Sequence, residues 1–296
     1  ERPPGSGALS CVRDLLPRER DAWVAVEDAI REVAALHQCF PIDPAPLERA
    51  ATYEAAFGAG VLPPISKVGG ERIVSQLDPR VGVLRAVLEH HVGGAAAPLK
   101  LWYSGSLGTA RSAGARPLGT VRVRGFEFVG EHDPLYDGEA IVASLDVLRL
   151  ARLGPVKLTV NTLGCRVCRG GYQQKLAAYY RGHRAELCRA CTGRLEGNPL
   201  GIFGCAGAAC LELRSHAPIL LDYLCQNCNN HFRSVLELIE ETGALYEPSP
   251  YLLGPAPYHT RTVFEIAPVL SLGAPVAAPP VLAAGGRYDY LAEALT

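Results

Sequence analysis

The stretch GSLGTARSAGARPLGTVRVRGFEFVG, residues 105–130, begins as a loop rich in glycine and arginine and ends as a β-strand. Small residues spaced by arginines are the composition of a backbone that approaches phosphate. From Thr120 to Val129 polar and apolar residues alternate, as in a half-buried strand. The apolar phase changes at Gly125: Val121 and Val123 share one parity, Phe126 and Phe128 the other. A bulge at Gly125 would produce that change.

Working outward, residues 14–38 have the period of an amphipathic helix, with Trp23, Val26, Ile30 and Val33 at three- and four-residue steps. Prolines and glycines between Pro41 and Pro64 predict irregular chain. Helices are expected over 83–90 and 139–153, and strands over 99–103 and 156–160. Eight of the ten cysteines then fall between Cys165 and Cys228, among helical patterns at 172–187 and 231–242. Strand chemistry resumes at 262–266 and around Val281-Leu282. The simplest partition is a core made from both ends of the chain, with a helical, Cys-rich insertion between them: 1–162, 163–247 and 248–296.

The 296 residues suffice for one large or two smaller cores. With 29 Lys+Arg against 30 Asp+Glu, a nucleic-acid partner would have to meet a local patch. No apolar run is long enough for a membrane helix, and the N-terminus lacks the apolar core of a secretory signal. A cytoplasmic protein is expected, its cysteines serving as thiols or metal ligands more than disulfides. The chain has no Met, even at position 1, which is the expectation for a fragment or trimmed product.

Cys188-x-x-Cys191 and Cys225-x-x-Cys228 are two paired thiol hooks, the arrangement from which zinc draws four soft ligands. A structural Zn²⁺ on these four residues would tie the insertion together. The alternative is eight thiols used as small apolar groups.

Several segments together resemble histidyl-tRNA synthetase, a class II aminoacyl-tRNA synthetase. They are VRDLLPRE (12–19), GRLEGNPLGIF (193–203), HAPILLDYLCQNCNNHF (216–232), PYHTRTVFEI (257–266) and AAGGRYDYLAEAL (283–295). The resemblance runs over almost the whole chain in order. It implies an α+β fold: an antiparallel class II synthetase-like sheet of six or seven strands with a helical Cys-rich insertion domain. It further implies histidine–tRNA ligase activity using ATP with Mg²⁺, the substrates histidine and tRNA(His), and a homodimer. By the same resemblance Glu127, Tyr258, His259 and Tyr288 bind histidine, with Asp78 as a further acid. His259 stands where the family usually has tyrosine. Gly285, Gly286 and Arg287 form the signature loop beside the ligand. Without the resemblance, Tyr258 and Tyr288 would be half-buried strand aromatics and Glu127 a strand acid.

The chain departs from the family pattern where charge is needed. The motif-2 arginine that holds the α-phosphate falls on Thr109, and the arginine of the histidine-specific strand falls on Gly254. Arg80 replaces a threonine beside Asp78. The sequence stops at Thr296, before the family's motif 3 and anticodon-binding domain. Two other readings therefore stand beside the ligase. One is a non-catalytic paralogue that binds histidine, like the regulatory subunit of ATP phosphoribosyltransferase; the other is a scaffold or dimerisation fragment.

Codon degeneracy offers a further reading of 109–121. Shifted by one base, these codons can encode Arg-His-Asp-Arg-Pro-Glu-Arg-Gly-Arg-Trp-Gly-Gln-Phe, an arginine-led loop. Sequencing the coding DNA tests this: a stop codon or no arginine-rich match in the shifted frame eliminates it.

Overall fold

The computed structural model describes residues 14–58, 66–93, 98–109, 119–269 and 280–296. Helix α1 (Pro17–Leu36) opens on proline, whose missing N–H costs nothing in a first turn, and Glu19 accepts the Leu16 N–H at 3.3 Å. Next come β1 (Phe40–Pro41), β2 (Leu47–Arg49), α2 (Ala50–Phe57), β3 (Ser66–Val68), β4 (Glu71–Ser75) and α3 (Pro79–His90). The end of β1, the strand β2 and the helix α2 thus stand where prolines and glycines predicted irregular chain; residues 59–64 of that span lie outside the described residues. The long strands β5 (Leu99–Thr109) and β6 (Gly119–Val129) precede α4 (Leu135–Leu150) and β7 (Val156–Thr162). The Cys-rich segment supplies α5 (Arg166–Gly182), α6 (Arg189–Arg194), α7 (Ala208–His216) and α8 (Gln226–Glu241). The chain closes with β8 (Tyr246–Pro248), β9 (Thr260–Pro268), β10 (Ala283–Arg287) and α9 (Leu291–Leu295).

The chain divides into two units. The first holds the described residues through His132, with Ala143–Leu153 and Tyr290–Thr296; the second holds Asp133–Val142 and Gly154–Asp289. The Cys-rich helices and the histidine-specific strands thus share one unit.

In the first unit β1, β5 and β6 form a sheet, β1 parallel to β5 and β5 antiparallel to β6. The β5–β6 register runs unbroken from Leu99↔Val129 to Thr109↔Gly119, so the expected bulge at Gly125 is absent. Helices cover both faces of the strand instead. Val123 and Val129 pack with Leu101, Tyr103 and the α3 residues Val83 and Val87. Phe126 and Trp102, on the other face, pack with Ala29, Ile30 and Val33 of α1 and with Ala143 and Val147. Both parities are therefore apolar without any slip. Glu27 of α1 pairs with Arg124 on this second face, and Trp23 lies 5.4 Å from the Arg124 guanidinium. A smaller antiparallel sheet, β2-β4-β3, completes this unit's strands among the described residues.

In the second unit the sheet order is β10-β9-β7-β8, antiparallel except for β7 with β8. The Cys-rich helices enclose their own core around Tyr172, Leu176, Tyr180, Ile202 and Phe203. This mixed, mainly antiparallel architecture with a helical Cys-rich region is the expected fold class. Among the described residues no helix is long and apolar enough to cross a membrane.

Gly125 pairs with Tyr103, whose ring lies where a Cβ at 125 would stand. Gly125→Ala is expected to lower stability by about 1–3 kcal/mol through overpacking, read as a lower midpoint in chemical denaturation.

Candidate functional site

At the start of β9 three rings gather. Tyr258 lies 5.2 Å from His259 and 6.1 Å, edge-on, from Tyr288, and His259 lies 6.5 Å from Tyr288. The structure thus brings together three of the sequence-nominated histidine-binding residues. The His259 ring is buried, and its Nδ1 lies 3.2 Å from the Arg287 carbonyl. A carbonyl only accepts, so this Nδ1 carries the proton. Arg169 of α5 donates to the His259 carbonyl at 2.8 Å, linking the Cys-rich helices to the strand.

The backbone at this point is irregular for a visible reason. Gly286 pairs with Val263 but Arg287 pairs with Thr260, so the β9–β10 ladder shifts register between them. Arg261, in the extra length of β9, has φ +45°, and its N–H donates to the Gly164 carbonyl at 2.9 Å. The bulge falls here instead of at Gly125. It turns the Tyr258–His259 end of β9 out of the regular ladder.

Beneath the rings lies a buried ionic network that sequence reasoning missed. The Arg287 side chain, 7 % exposed, donates Nε–H to Asp137 at 2.9 Å and places Nη2 2.6 Å from the same carboxylate. His231 of α8 meets the other Asp137 oxygen through Nε2 at 2.8 Å. Arg261 approaches His231 Nδ1 at 3.5 Å, and a guanidinium can only donate, so Nε2 carries the imidazole proton. Arg287 also reaches Asp289, which exchanges hydrogen bonds with Thr260 at 3.2 Å. Burial raises the Asp137 pKa, but the His231 hydrogen bond and the Arg287 charge hold it below the ordinary carboxylate value. Arg287 is therefore spent on positioning. Nothing in local sequence joins Asp137 to His231; only the period of α8, which buries His231 beside Phe232 and Val235, gave a hint.

The loop glycines are explained by packing. A Cβ at Gly285 would stand 2.7 Å from the Phe264 ring, and one at Gly286 would stand 2.6 Å from the Thr262 carbonyl oxygen. Gly254 has φ +75°, and a Cβ there would meet Val263 at 2.8 Å. Gly254 is thus committed to a left-handed turn against β9.

In the first unit Glu127 is buried on the α3-facing side of β6. The Tyr103 phenol is pushed up by burial and then by the Glu127 charge. Asp78 is buried as well, but its carboxylate caps α3 through the Arg80 N–H at 3.1 Å and grips the Arg80 guanidinium at 2.6 and 2.8 Å. Tyr53 holds the same turn through the Asp78 carbonyl at 2.9 Å. Arg80 therefore occupies the acid. Thr109 ends β5, in register with Gly119; the loop between them, 110–118, lies outside the described residues. So do Val12 and Arg13 of the opening segment.

The cysteines require a correction. The sequence joined Cys188 and Cys191 with Cys225 and Cys228; the structure separates the two pairs. Cys225 and Cys228 stand with Cys165 and Cys168, while Cys188 and Cys191 stand with Cys205 and Cys210. Cys165 and Cys225 are the cap residues that open α5 and α8, and the fold brings these two helix starts together, which sequence distance does not record. Each group could hold a metal ion. Burial raises the Cys165 thiol, but hydrogen bonds from Cys168 and Val167 outweigh it and lower the pKa to about 7. Hydrogen bonds from Cys191 bring Cys188 to about 7 as well. Burial pushes Cys191 and Cys228 up.

The chain is 32 % identical over 286 residues to the histidine–tRNA ligase of Halothermothrix orenii, covering 95 % of this chain and 67 % of the relative. It belongs to the histidine–tRNA ligase family. The Moorella thermoacetica ligase gives the same identity over 290 residues, with the same coverage. Among solved structures, apo histidyl-tRNA synthetase of S. aureus matches 98 % of this chain and 68 % of its own at a TM-score of 0.75 and 22 % identity. A Bacillus halodurans protein described as an ATP phosphoribosyltransferase regulatory subunit/histidyl-tRNA synthetase matches 99 % of this chain and 79 % of its own at 0.69 and 20 % identity. These low identities speak for the fold alone. No family model matches the chain.

For this member of the ligase family the Asp137 network yields a sign-definite expectation. Its lowered pKa gives stability that is present above the ordinary carboxylate range and lost as pH falls through the folded value. Asp137→Ala removes the buried carboxylate shared by Arg287 and His231 and should cost about 3–5 kcal/mol. Denaturation followed against pH should show that loss with a flatter acid limb than the unmutated chain.

Proposed function

We propose that this chain binds histidine at the ring group of its second unit, and that its reaction is the family's ATP-dependent activation of histidine and transfer to tRNA(His). The observation that carries the reading is the Tyr258–His259–Tyr288 group, held in place by Arg287, in a chain of histidine–tRNA ligase descent. An imidazole has an aromatic face and two polar edges. Tyrosine rings offer edge-on packing and hydroxyl partners, and His259 is fixed beside them with its Nδ1 proton turned to the Arg287 carbonyl. ATP with Mg²⁺, a second copy of the chain as homodimer partner and a cytoplasmic location are proposed on family membership.

The residues present do not fit the phosphate end of that substrate. Gly254 puts a left-handed turn where the family puts a positive charge. Loss of one such preorganised donor costs roughly 10²–10³ in rate. Slow activation with retained histidine binding therefore belongs to the proposal. This same turn favours a second reading, a histidine-binding module without catalysis.

Titration calorimetry with histidine and histidine-dependent ATP–pyrophosphate exchange separate the readings. Binding with slow exchange supports the crippled ligase, and binding with no exchange supports the sensor. No binding by a folded chain overturns both and leaves the scaffold.

A further inference from the structure

The two cysteine groups share a geometry that free thiols have no reason to adopt. All four sulfurs of each lie within 4.8 Å of one another. Cys165 Sγ stands 3.4 Å from Cys168 Sγ and 3.9 Å from Cys225 Sγ, and Cys168 stands 3.7 Å from Cys225. In the other group Cys188 and Cys205 are 3.8 Å apart. A tetrahedron with metal–sulfur bonds of about 2.3 Å has an edge of about 3.8 Å. A disulfide needs about 2.05 Å, and the eight cysteines are free.

The surroundings also suit thiolates. The Cys165 N–H donates to Cys168 Sγ, the Cys188 N–H to Cys210 Sγ and the Gly207 N–H to Cys205 Sγ, each at 3.4 Å. Backbone N–H groups aimed at sulfur orient and stabilise metal-bound thiolates. Each group is all sulfur, a donor set that selects soft or borderline ions over Mg²⁺ and Ca²⁺.

We propose that the Cys-rich segment carries two separate tetrathiolate zinc sites, one on Cys165, Cys168, Cys225 and Cys228, the other on Cys188, Cys191, Cys205 and Cys210. The first closes the whole insertion at its base, directly after β7. The second pins α6 to α7 within it. This inference stands apart from the histidine reading.

Metal analysis of the full chain, purified reduced and without chelator, should find two zinc ions per chain. One zinc or none in a folded protein, or iron in place of zinc, overturns the proposal. Cys205→Ser with Cys210→Ser, and separately Cys165→Ser with Cys168→Ser, should each leave one zinc. Because either variant can fail to fold, Co²⁺ titration of the unmutated, metal-stripped chain gives an independent answer. The visible absorption of tetrahedral Co²⁺–thiolate should rise to a plateau at two equivalents; a plateau at one, or no such band, overturns the two-site assignment.

Discussion

The Asp137 carboxylate, shut away from solvent between Arg287 and His231, holds the second unit's functional end in one arrangement. The three residues come from distant parts of the chain: Asp137 from the first turn of α4, His231 from the buried face of α8 and Arg287 from the end of β10. A buried carboxylate with two cationic or donor neighbours resists any shift that would leave one of them unpaired. Through Arg287 the constraint passes to the His259 ring by way of the Arg287 carbonyl, and through Asp289 to Thr260. The bulge at Arg261, the turn at Gly254 and the tight approach of Gly286 to β9 all fit around that fixed point.

In the same unit the ring group rests on its buried support, and the turn at Gly254 packs against Val263 with no room for a side chain. In the first unit Arg80 and Asp78 neutralise each other at the start of α3.

Much of this was legible in the chain. The periods of α1, α3 and α4 and the strand runs of β5, β6, β7 and β9 appear as patterns of apolar spacing, because each element buries apolar side chains at the period of its own backbone. The region from 41 to 58 was not legible: short strands and α2 form there because Tyr53 and Ala56 find a core, which local breakers do not reveal. The phase change in β6 was visible but misread. Alternation cannot distinguish a slipped strand from a straight one covered on both sides.

The sequence by itself determined the family and the main helices and strands outside residues 41–75, since these rest on residue types at a set spacing within short segments. Only the tertiary structure decided which cysteines stand together, where the bulge falls and what Arg287 and Asp78 are used for. Those outcomes depend on which distant side chains share a buried volume and must satisfy one another's charge and hydrogen bonds, and chain spacing carries no record of that.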